Sequence, residues 1–263
     1  MDRVLVRIGR AFFALALIGL GVEHWLFGEF VTGRAPEWPA TVPGGRIWAA
    51  VTGLIIVLAG LAILTGRRAR PAAALVTVLI TTWALMRYIP ILADEAFLSA
   101  AWTRAGKALV LAGGALAVAA TLPKLTSAPE MVRRVVNRYG VFITAGRLSL
   151  AFFFVVTGIQ HFLFTEFVAS LIPGWFPGDG VFWTYFAGVA LVAGGTGLLI
   201  HRTARLAALL SGVMVFSWFW IIHVPRTLLA ISDSIAVFEA LAVSGIALVL
   251  AGVDSPAGEG GRE

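Results

Sequence analysis

The sequence predicts an all-α integral membrane protein of about eight transmembrane helices, arranged as two four-helix repeats that enter the membrane in the same direction. Three observations predict this fold. Of the 263 residues, 59% are hydrophobic and only 13% are charged, whereas a soluble domain carries about 25% charged residues. The apolar residues are concentrated in runs long enough to cross a bilayer. A histidine-containing motif also occurs twice, once in each half of the chain.

The spans follow from the length of the apolar runs. Crossing about 30 Å of hydrocarbon in a helix takes about 20 predominantly apolar residues. The runs 47–66 and 180–200 contain no charge, whereas 8–28 and 103–122 contain a few ionisable residues. The eight predicted spans lie near 8–28, 46–65, 71–91, 103–122, 142–164, 181–200, 205–225 and 234–252.

The basic residues fall mainly on one side of the predicted helices. The alternate segments 1–10, 66–70, 122–147, 201–205 and 253–263 hold 14 of the 20 basic residues. The other side holds six basic and nine acidic residues. Because cytoplasmic segments of membrane proteins carry an excess of Lys and Arg, the sequence predicts that both termini lie in the cytoplasm.

An internal repeat predicts the architecture. The motif GVEHWLFGEFV at 21–31 recurs as GIQHFLFTEFV at 158–168, an offset of 137 residues. Each unit holds four spans, an even number, so the two units are expected to point the same way and to place equivalent residues at the same depth. The predicted organisation is a first repeat at 1–123, a cytoplasmic basic linker at 124–141, a second repeat at 142–252 and a cytoplasmic tail at 253–263.

The chain contains no cysteine, which limits its chemistry. This excludes a disulfide framework, a thiolate-bound metal and cysteine-based redox reactions within the chain. The net charge of +6 is accounted for by positive loops on the cytoplasmic side of a membrane protein. We therefore expect the lipid bilayer, and no nucleic acid, as the partner of the basic residues.

Several ionisable residues lie inside the predicted spans, near the outer side. Each costs on the order of 2.5–3.5 kcal/mol on insertion scales, so it normally has a partner or a function. Lys107 and Glu239 align between the two units and are predicted to form a structural ion pair across the pseudo-axis. Arg87 and His223 precede prolines that are expected to close the third and seventh spans. For Arg87 two alternatives stay open: holding an anionic group, or extending to the outer head groups.

His24 and His161 occupy equivalent positions on the first and fifth spans. One hypothesis is a buried, hydrogen-bonded histidine that fixes the outer loop of each unit. Another is a polar pocket with aromatic walls for a quinone, isoprenoid or lipid head group, and a third is axial ligation of haem b by both imidazoles. No dense cluster of metal ligands is present, so no metal site is predicted. The candidate binding residues are His24, His161, Glu29, Glu166, Trp83, Trp218, Arg87 and His223.

The stretch GIQHFLFTEFVASLIPGWFPGDGVFWTYFAGVALVAGGTGLLIHRTARLAALL at 158–210 carries a His-Phe pair, an Ile-Pro-x-Trp-x-Pro loop and a glycine-rich span followed by a basic turn. In these features it resembles the DoxX-like family of small bacterial membrane proteins. Members are typically one four-helix unit, so the resemblance implies a tandem duplication over nearly the whole chain. The first unit departs from the pattern, with APEWP at 35–39 where the second has IPGWFP at 172–177.

The resemblance also implies a class of function. Some DoxX-like proteins are linked to quinone-coupled oxidation, as membrane subunits of thiosulfate:quinone or terminal quinol oxidoreductases. Because this chain has no cysteine and no flavin or iron–sulfur motif, the resemblance implies at most a quinone or haem site offered to a redox partner protein. We therefore expect an outward-facing pocket for a quinone or lipid head group in an accessory subunit. A haem b-binding oxidoreductase subunit and a transporter of small molecules or lipids are the alternatives.

Overall fold

The computed structural model describes residues 1–31 and 35–254, except the side chain of Ser232. The predicted tail at 253–263 therefore lies mostly outside the described residues. The prediction of eight membrane-spanning helices is confirmed, because eight described helices are long and apolar enough to cross a bilayer. In chain order the helices are α1 (Arg3–Phe27), α2 (Gly45–Thr65), α3 (Ala69–Asp94), α4 (Ala100–Ala120), α5 (Glu130–Val136), α6 (Tyr139–Leu163), α7 (Thr165–Ser170), α8 (Gly180–Leu199), α9 (His201–Trp218), α10 (Val224–Leu229) and α11 (Ser234–Val253).

Two spans do not close at their prolines, contrary to the expectation from the sequence. α3 continues for about one turn beyond Pro90, and the seventh span continues for about one turn beyond Pro225. Proline removes one backbone donor, but neighbouring helices and local π-helical turns make it tolerable in a membrane-spanning helix. The seventh span contains such a turn at Phe219–His223, which joins α9 to α10 and in which the N–H of Val224 donates to the carbonyl of Phe219.

Several helices begin earlier than the apolar runs that predicted them, and α1 and α6 are examples. Asp2 caps α1, since its side chain accepts hydrogen bonds from the backbone N–H groups of Val4 and Leu5. Such a cap satisfies donors that the first helical turn leaves unpaired. α6 begins at Tyr139, and α5 lies in the middle of the predicted linker 124–141. Much of that linker is therefore helical.

The two ends of the described chain lie on the same face of the bundle. The backbone N–H of Asp2 donates to the carbonyl of Gly252 at 2.7 Å. We call this the terminal face. The face that carries the segments 35–44, 95–99 and 164–179 is called the opposite face.

The eight spans form a closed ring of neighbours in the order α1, α2, α3, α4, α6, α8, α9 (continued through α10) and α11, with α11 returning to α1. α4 and α11 are the most deeply buried of the eight and also touch each other across the ring. The first helix of each half therefore packs against the last helix of the other half. The two halves are therefore held together by contacts between helices, in addition to the segment that connects them along the chain.

Glycines at equivalent positions make equivalent contacts within each half. A methyl group added at Gly21 of α1 would lie 2.7 Å from the carbonyl oxygen of Gly53 on α2. One added at Gly158 of α6 would lie 2.9 Å from the carbonyl oxygen of Gly188 on α8. Small residues at such crossings let helix backbones approach closely in lipid.

The same correspondence holds where the two halves meet. Gly9 of α1 packs against the carbonyl oxygen of Gly245 on α11, and Gly146 of α6 packs against that of Gly113 on α4. These positions follow the alignment of the two halves found in the sequence. The interface between the halves is therefore built twice from corresponding backbone contacts.

A buried arginine holds the connection between the halves on the terminal face. Arg70, at the start of α3, is only 4% exposed. Its guanidinium donates to the backbone carbonyls of Leu122, Pro123 and Val136 and to the side chain of Asn137. A planar guanidinium with five donors suits a site that offers several acceptors from different directions. Arg70 thus ties α3 to both ends of the segment that leads into the second half.

Candidate functional site

A cavity of about 960 Å³ lies in the second half, towards the opposite face. It is enclosed by α4, α6, α8, α9 and α11, and its size is at the upper end of the range for small-molecule sites. Most of its lining is apolar or aromatic, so it suits a ligand with a large hydrophobic part. The apolar lining includes Phe153, Phe154, Trp183, Phe186, Leu191, Met214 and Val215.

The short helix α7 borders the cavity at the opposite face. Phe164, Phe167 and Val168 belong to its lining, and Phe167 is 66% exposed. The helix lies between the end of α6 and the segment that leads into α8. The cavity is therefore bordered on the opposite face by aromatic and aliphatic side chains.

His161 stands in the cavity wall near the end of α6. Its Nδ1 lies 2.7 Å from the carbonyl oxygen of Thr157 and can only be the donor in that bond. This assigns Nε2 as the acceptor nitrogen of the neutral ring. The imidazole stacks on the indole of Trp218 from α9, with centroids 6.4 Å apart and planes inclined by 27°. Both residues line the cavity, as the hypothesis of an aromatic-walled pocket requires.

The π-helical turn of the seventh span contributes a second histidine. A π turn contains one residue more than the α-helical turn it replaces, and such turns are frequent at functional sites. The turn brings Ile221, Ile222 and His223 into the cavity lining, followed by Arg226 on α10. In α3, which stays α-helical around Pro90, no corresponding turn is present.

Lys107 and Glu239 form an ion pair at the cavity wall, the contact expected from the alignment of the two units. Lys107 Nζ lies 2.7 Å from Glu239 Oε2. The Glu239 side chain is 8% exposed and that of Lys107 is 31% exposed. An ion pair in a low-dielectric environment is retained only when both charges are well matched. The pair joins α4 to α11 at the level of the cavity.

The sequence reasoning missed a polar cluster beside His161. Gln160 is 5% exposed, and its Nε2 donates to the carbonyls of Leu98 and Ser99 at 3.0 and 2.8 Å. Thr103 Oγ1 donates to Gln160 Oε1 at 2.5 Å. The repeat offered a signal, because Gln160 aligns with Glu23 of the first motif. Glu23 Oε1 likewise accepts a hydrogen bond from Ser234 at the start of α11.

A second ion pair lies at the mouth of the cavity. Arg226 Nη2 is 2.9 Å from Asp233 Oδ2, and both residues belong to the lining. The charged residues of the lining are thus two cations and two anions, each cation paired with an anion. With neutral histidines, the polar lining carries no net charge.

The equivalent region of the first half is closed by its own side chains. His24 is 2% exposed; its Nδ1 lies 2.8 Å from the carbonyl oxygen of Leu20, and its Nε2 accepts from the N–H of Val31 at 3.5 Å. The ring of Phe30 packs edge-on against the imidazole and against Trp83. His24 and Trp83 therefore belong to a filled aromatic cluster, and neither lines the cavity.

The remaining predicted residues lie away from the cavity. Arg87 donates from Nη1 to the carbonyl of Ala35 at 2.9 Å and approaches Glu37 Oε1 at 3.5 Å, so it holds the loop of the first half. Glu29 and Glu166 are exposed. The predicted set therefore separates into cavity residues, residues of the closed first half and surface residues. Sequence spacing alone did not distinguish them, because the motif is nearly the same in both halves.

Neither haem nor a metal is favoured by this geometry. Axial ligation needs a free imidazole nitrogen from each histidine, but both ring nitrogens of His24 are used within its own helix and loop. In residues 1–31 and 35–254 no group of three or more His, Asp or Glu side chains is placed to hold a metal ion. The polar groups of the cavity are arranged for hydrogen bonding.

Comparison with known protein families gives a match to part of the chain. The model of a family described as a domain of unknown function, DUF8561, matches residues 150–253. The match covers α8, α9, α10, α11 and most of α6, and thus most helices around the cavity. Neither the curated proteins nor the solved structures contain a match to the chain.

Proposed function

We propose that this protein binds a quinone in the cavity of its second half, as an accessory subunit of a redox complex in a bacterial inner membrane. The observation that carries the proposal is the composition of the cavity: about 960 Å³ of mostly apolar space whose charged side chains are already paired with one another.

The walls suit an isoprenoid tail. A long hydrocarbon chain gains about 0.8 kcal/mol for each methylene transferred from water, but little when it moves from lipid into protein, because both are apolar. Binding from the membrane therefore depends on the fit of the walls and on the polar head. Flat aromatic side chains such as Trp183 and Phe186 offer surfaces for flat, unsaturated groups.

The paired charges favour a neutral head group. A phosphate would need an unpaired cation, whereas Lys107 and Arg226 are each bound to a carboxylate. A quinone ring is neutral, and its oxygens accept hydrogen bonds when oxidised and donate them when reduced. The His161 imidazole can accept or donate according to its tautomer and protonation, and Trp218 beside it provides a face for ring stacking.

The distribution of charge supports an outer position for the cavity. The terminal face carries most of the basic residues, so the positive-inside rule directs it towards the cytoplasm. The resemblance of 158–210 to DoxX-like proteins supports a quinone-linked role. Because the chain has no cysteine, electrons would be delivered to the quinone by a partner protein.

Quinone binding can be tested with the detergent-purified protein. An organic extract is expected to contain quinone, and a short-tailed ubiquinone analogue is expected to quench tryptophan fluorescence with saturation, because Trp183 and Trp218 line the cavity. The variant Trp218→Leu removes the indole that stacks on His161. It is expected to weaken quinone binding about tenfold, or about 1.4 kcal/mol.

The matched control is Trp83→Leu, at the equivalent position of the first half. Trp83 packs in the closed cluster outside the cavity, so its loss is expected to leave quinone affinity within about twofold of wild type once folded protein is selected. An equal loss of affinity in both variants would contradict the proposed location. An extract without quinone, together with no saturable quenching, would contradict quinone binding itself.

A further inference from the structure

A second site lies on the terminal face, far from the cavity and independent of the proposed quinone site. A groove of about 290 Å³ runs between the beginning of α1 and the end of α2. We call it the basic groove, defined by Arg7, Arg10, Ile63, Leu64 and Gly66. We infer that the basic groove binds the phosphate group of an anionic membrane lipid.

The two arginines of the groove carry charge that the protein does not neutralise. Arg7 and Arg10 are three residues apart, so they share one face of α1. Arg7 is exposed and Arg10 is half-buried. Within the part of the chain that the structure describes, no carboxylate forms an ion pair with either of them. Two like charges held together without an anion favour binding of an anion from outside.

The second half shows the alternative arrangement. Arg147 occupies the position equivalent to Arg10, and its Nη2 is bound to Asp254 Oδ1. The side chains of both partners are no more than 20% exposed. The same position is therefore neutralised internally in one half and left positive in the other.

The groove lies near the beginning of the first predicted span, where the head groups of a bilayer are expected. Arg10 lies about 10 Å along α1 from its first residue, at a rise of 1.5 Å per residue. Its neighbours Ile63 and Leu64 belong to the last turn of α2, and Leu64 is 43% exposed to the surroundings. A lipid can place its phosphate on the guanidinium groups and an acyl chain against Leu64. Basic pockets at helix ends on the positive side of membrane proteins bind anionic head groups in this way.

The end of α2 does not cancel this attraction. Helix C-termini carry about half a unit of negative charge, and α2 ends beside the groove at Thr65. Two guanidinium groups exceed that charge, and Arg67 and Arg68 follow directly in the turn. The local potential therefore stays positive.

Native mass spectrometry of the full-length protein tests the inference. The protein in mild detergent is given phosphatidylglycerol and phosphatidylcholine at equal concentrations, and wild type is expected to retain phosphatidylglycerol preferentially. In the double variant Arg7→Gln/Arg10→Gln the preference is expected to fall at least tenfold, because each arginine contributes a factor of about five. The charge-retaining variant Arg7→Lys/Arg10→Lys is expected to keep most of it.

The control removes the same charge elsewhere on the terminal face. Arg133→Gln/Arg202→Gln changes two exposed arginines and is expected to retain wild-type lipid preference. Loss of the preference in this control as well would overturn the inference, since it would show a general effect of charge. Binding of inorganic phosphate at millimolar concentration, without any preference for phosphatidylglycerol over phosphatidylcholine, would overturn the lipid as the source of the phosphate group.

Discussion

Lys107 on α4 and Glu239 on α11 occupy equivalent positions in the two halves of the chain, and they bind each other at 2.7 Å. Gly114 and Ile246, two turns further along the same helices, are also equivalent and also in contact. Contacts between residues at aligned positions are those expected next to the pseudo-twofold axis that the predicted repeat implies. Identical charges there would repel each other, whereas here one position carries the cation and the other the anion.

This relationship predicts a strong dependence of stability on the sign of the charges. Replacing the cation, Lys107→Met, is expected to destabilise the protein by about 3 kcal/mol, because it removes the counter-charge of a buried carboxylate. The measurement is thermal unfolding in detergent, followed by intrinsic tryptophan fluorescence. Glu239→Gln is expected to lower the midpoint as well.

The exchange variant Lys107→Glu/Glu239→Lys provides the control. It restores one cation and one anion at the same axis, so its unfolding midpoint is expected to lie closer to wild type than that of either Lys107→Glu or Glu239→Lys alone. If the exchange variant is as unstable as the sum of its single changes, the two side chains do not act as a pair.

A second prediction concerns the helix contact between the two halves. A methyl group at Gly9 would lie 2.8 Å from the backbone nitrogen of Val249 on α11, and backbone atoms cannot move aside as a flexible side chain can. Gly9→Ala is therefore expected to cost about 1–3 kcal/mol. Thermal unfolding and the monodispersity of the purified protein measure the effect.

Gly140 supplies the matched helical control. A methyl group there would meet no described heavy atom within 4 Å. Because alanine has a higher helix propensity than glycine, Gly140→Ala is expected to be neutral or to stabilise by up to about 1 kcal/mol. Equal destabilisation by both variants would show that the close approach of α1 and α11 is not the reason why position 9 requires glycine.

The membrane-spanning helices were predictable from the sequence because long apolar runs indicate them directly. Some of the helix ends were not predictable in this way. Proline was taken to end α3 and the seventh span, and this was wrong because a membrane-spanning helix can continue past a proline when local adjustments of the backbone satisfy the freed polar groups. The start of α1 depended on a single cap, Asp2, which lies outside the apolar run. The tandem duplication stays a prediction, supported by the recurring glycine contacts.

Arg70 gives a third prediction. Its guanidinium binds several backbone carbonyls in the segment between the two halves. Arg70→Ala leaves these buried acceptors unpaired, at about 1–3 kcal/mol each when no water replaces the donor. We expect a lower unfolding midpoint and faster tryptic cleavage at Lys124 and Arg133 in the folded protein, measured by limited proteolysis and mass spectrometry.

Arg205 is the equivalent residue of the second half and serves as the control. No hydrogen bond of the Arg205 side chain to another described residue is present. Arg205→Ala is expected to leave the midpoint and the tryptic pattern unchanged. Cleavage that is accelerated equally by both changes would contradict a specific role for Arg70.

The candidate site was only partly predictable, and the limit is physical. The two histidine motifs share seven of eleven residues, but Phe30 turns onto His24 whereas its counterpart Phe167 is largely exposed. This difference arises from how the segment after each motif packs, which no local spacing encodes. Gln160 was missed because it is uncharged, although a buried amide needs hydrogen-bond partners as much as a charged group does.

The orientation of the bundle gives the last prediction, and the absence of cysteine makes it directly testable. Ser127 lies in an exposed loop of the terminal face, and Ser170 is exposed at the end of α7 on the opposite face. A single cysteine at either position is then the only thiol in the chain. Because the terminal face carries the basic residues and should lie in the cytoplasm, a membrane-impermeant maleimide applied to intact cells is expected to label Ser170→Cys and not Ser127→Cys. After the membrane is permeabilised, both variants should react, which shows that each thiol is accessible. The reverse pattern in intact cells would place the cavity on the cytoplasmic side, and its quinone would then exchange electrons with a cytoplasmic partner.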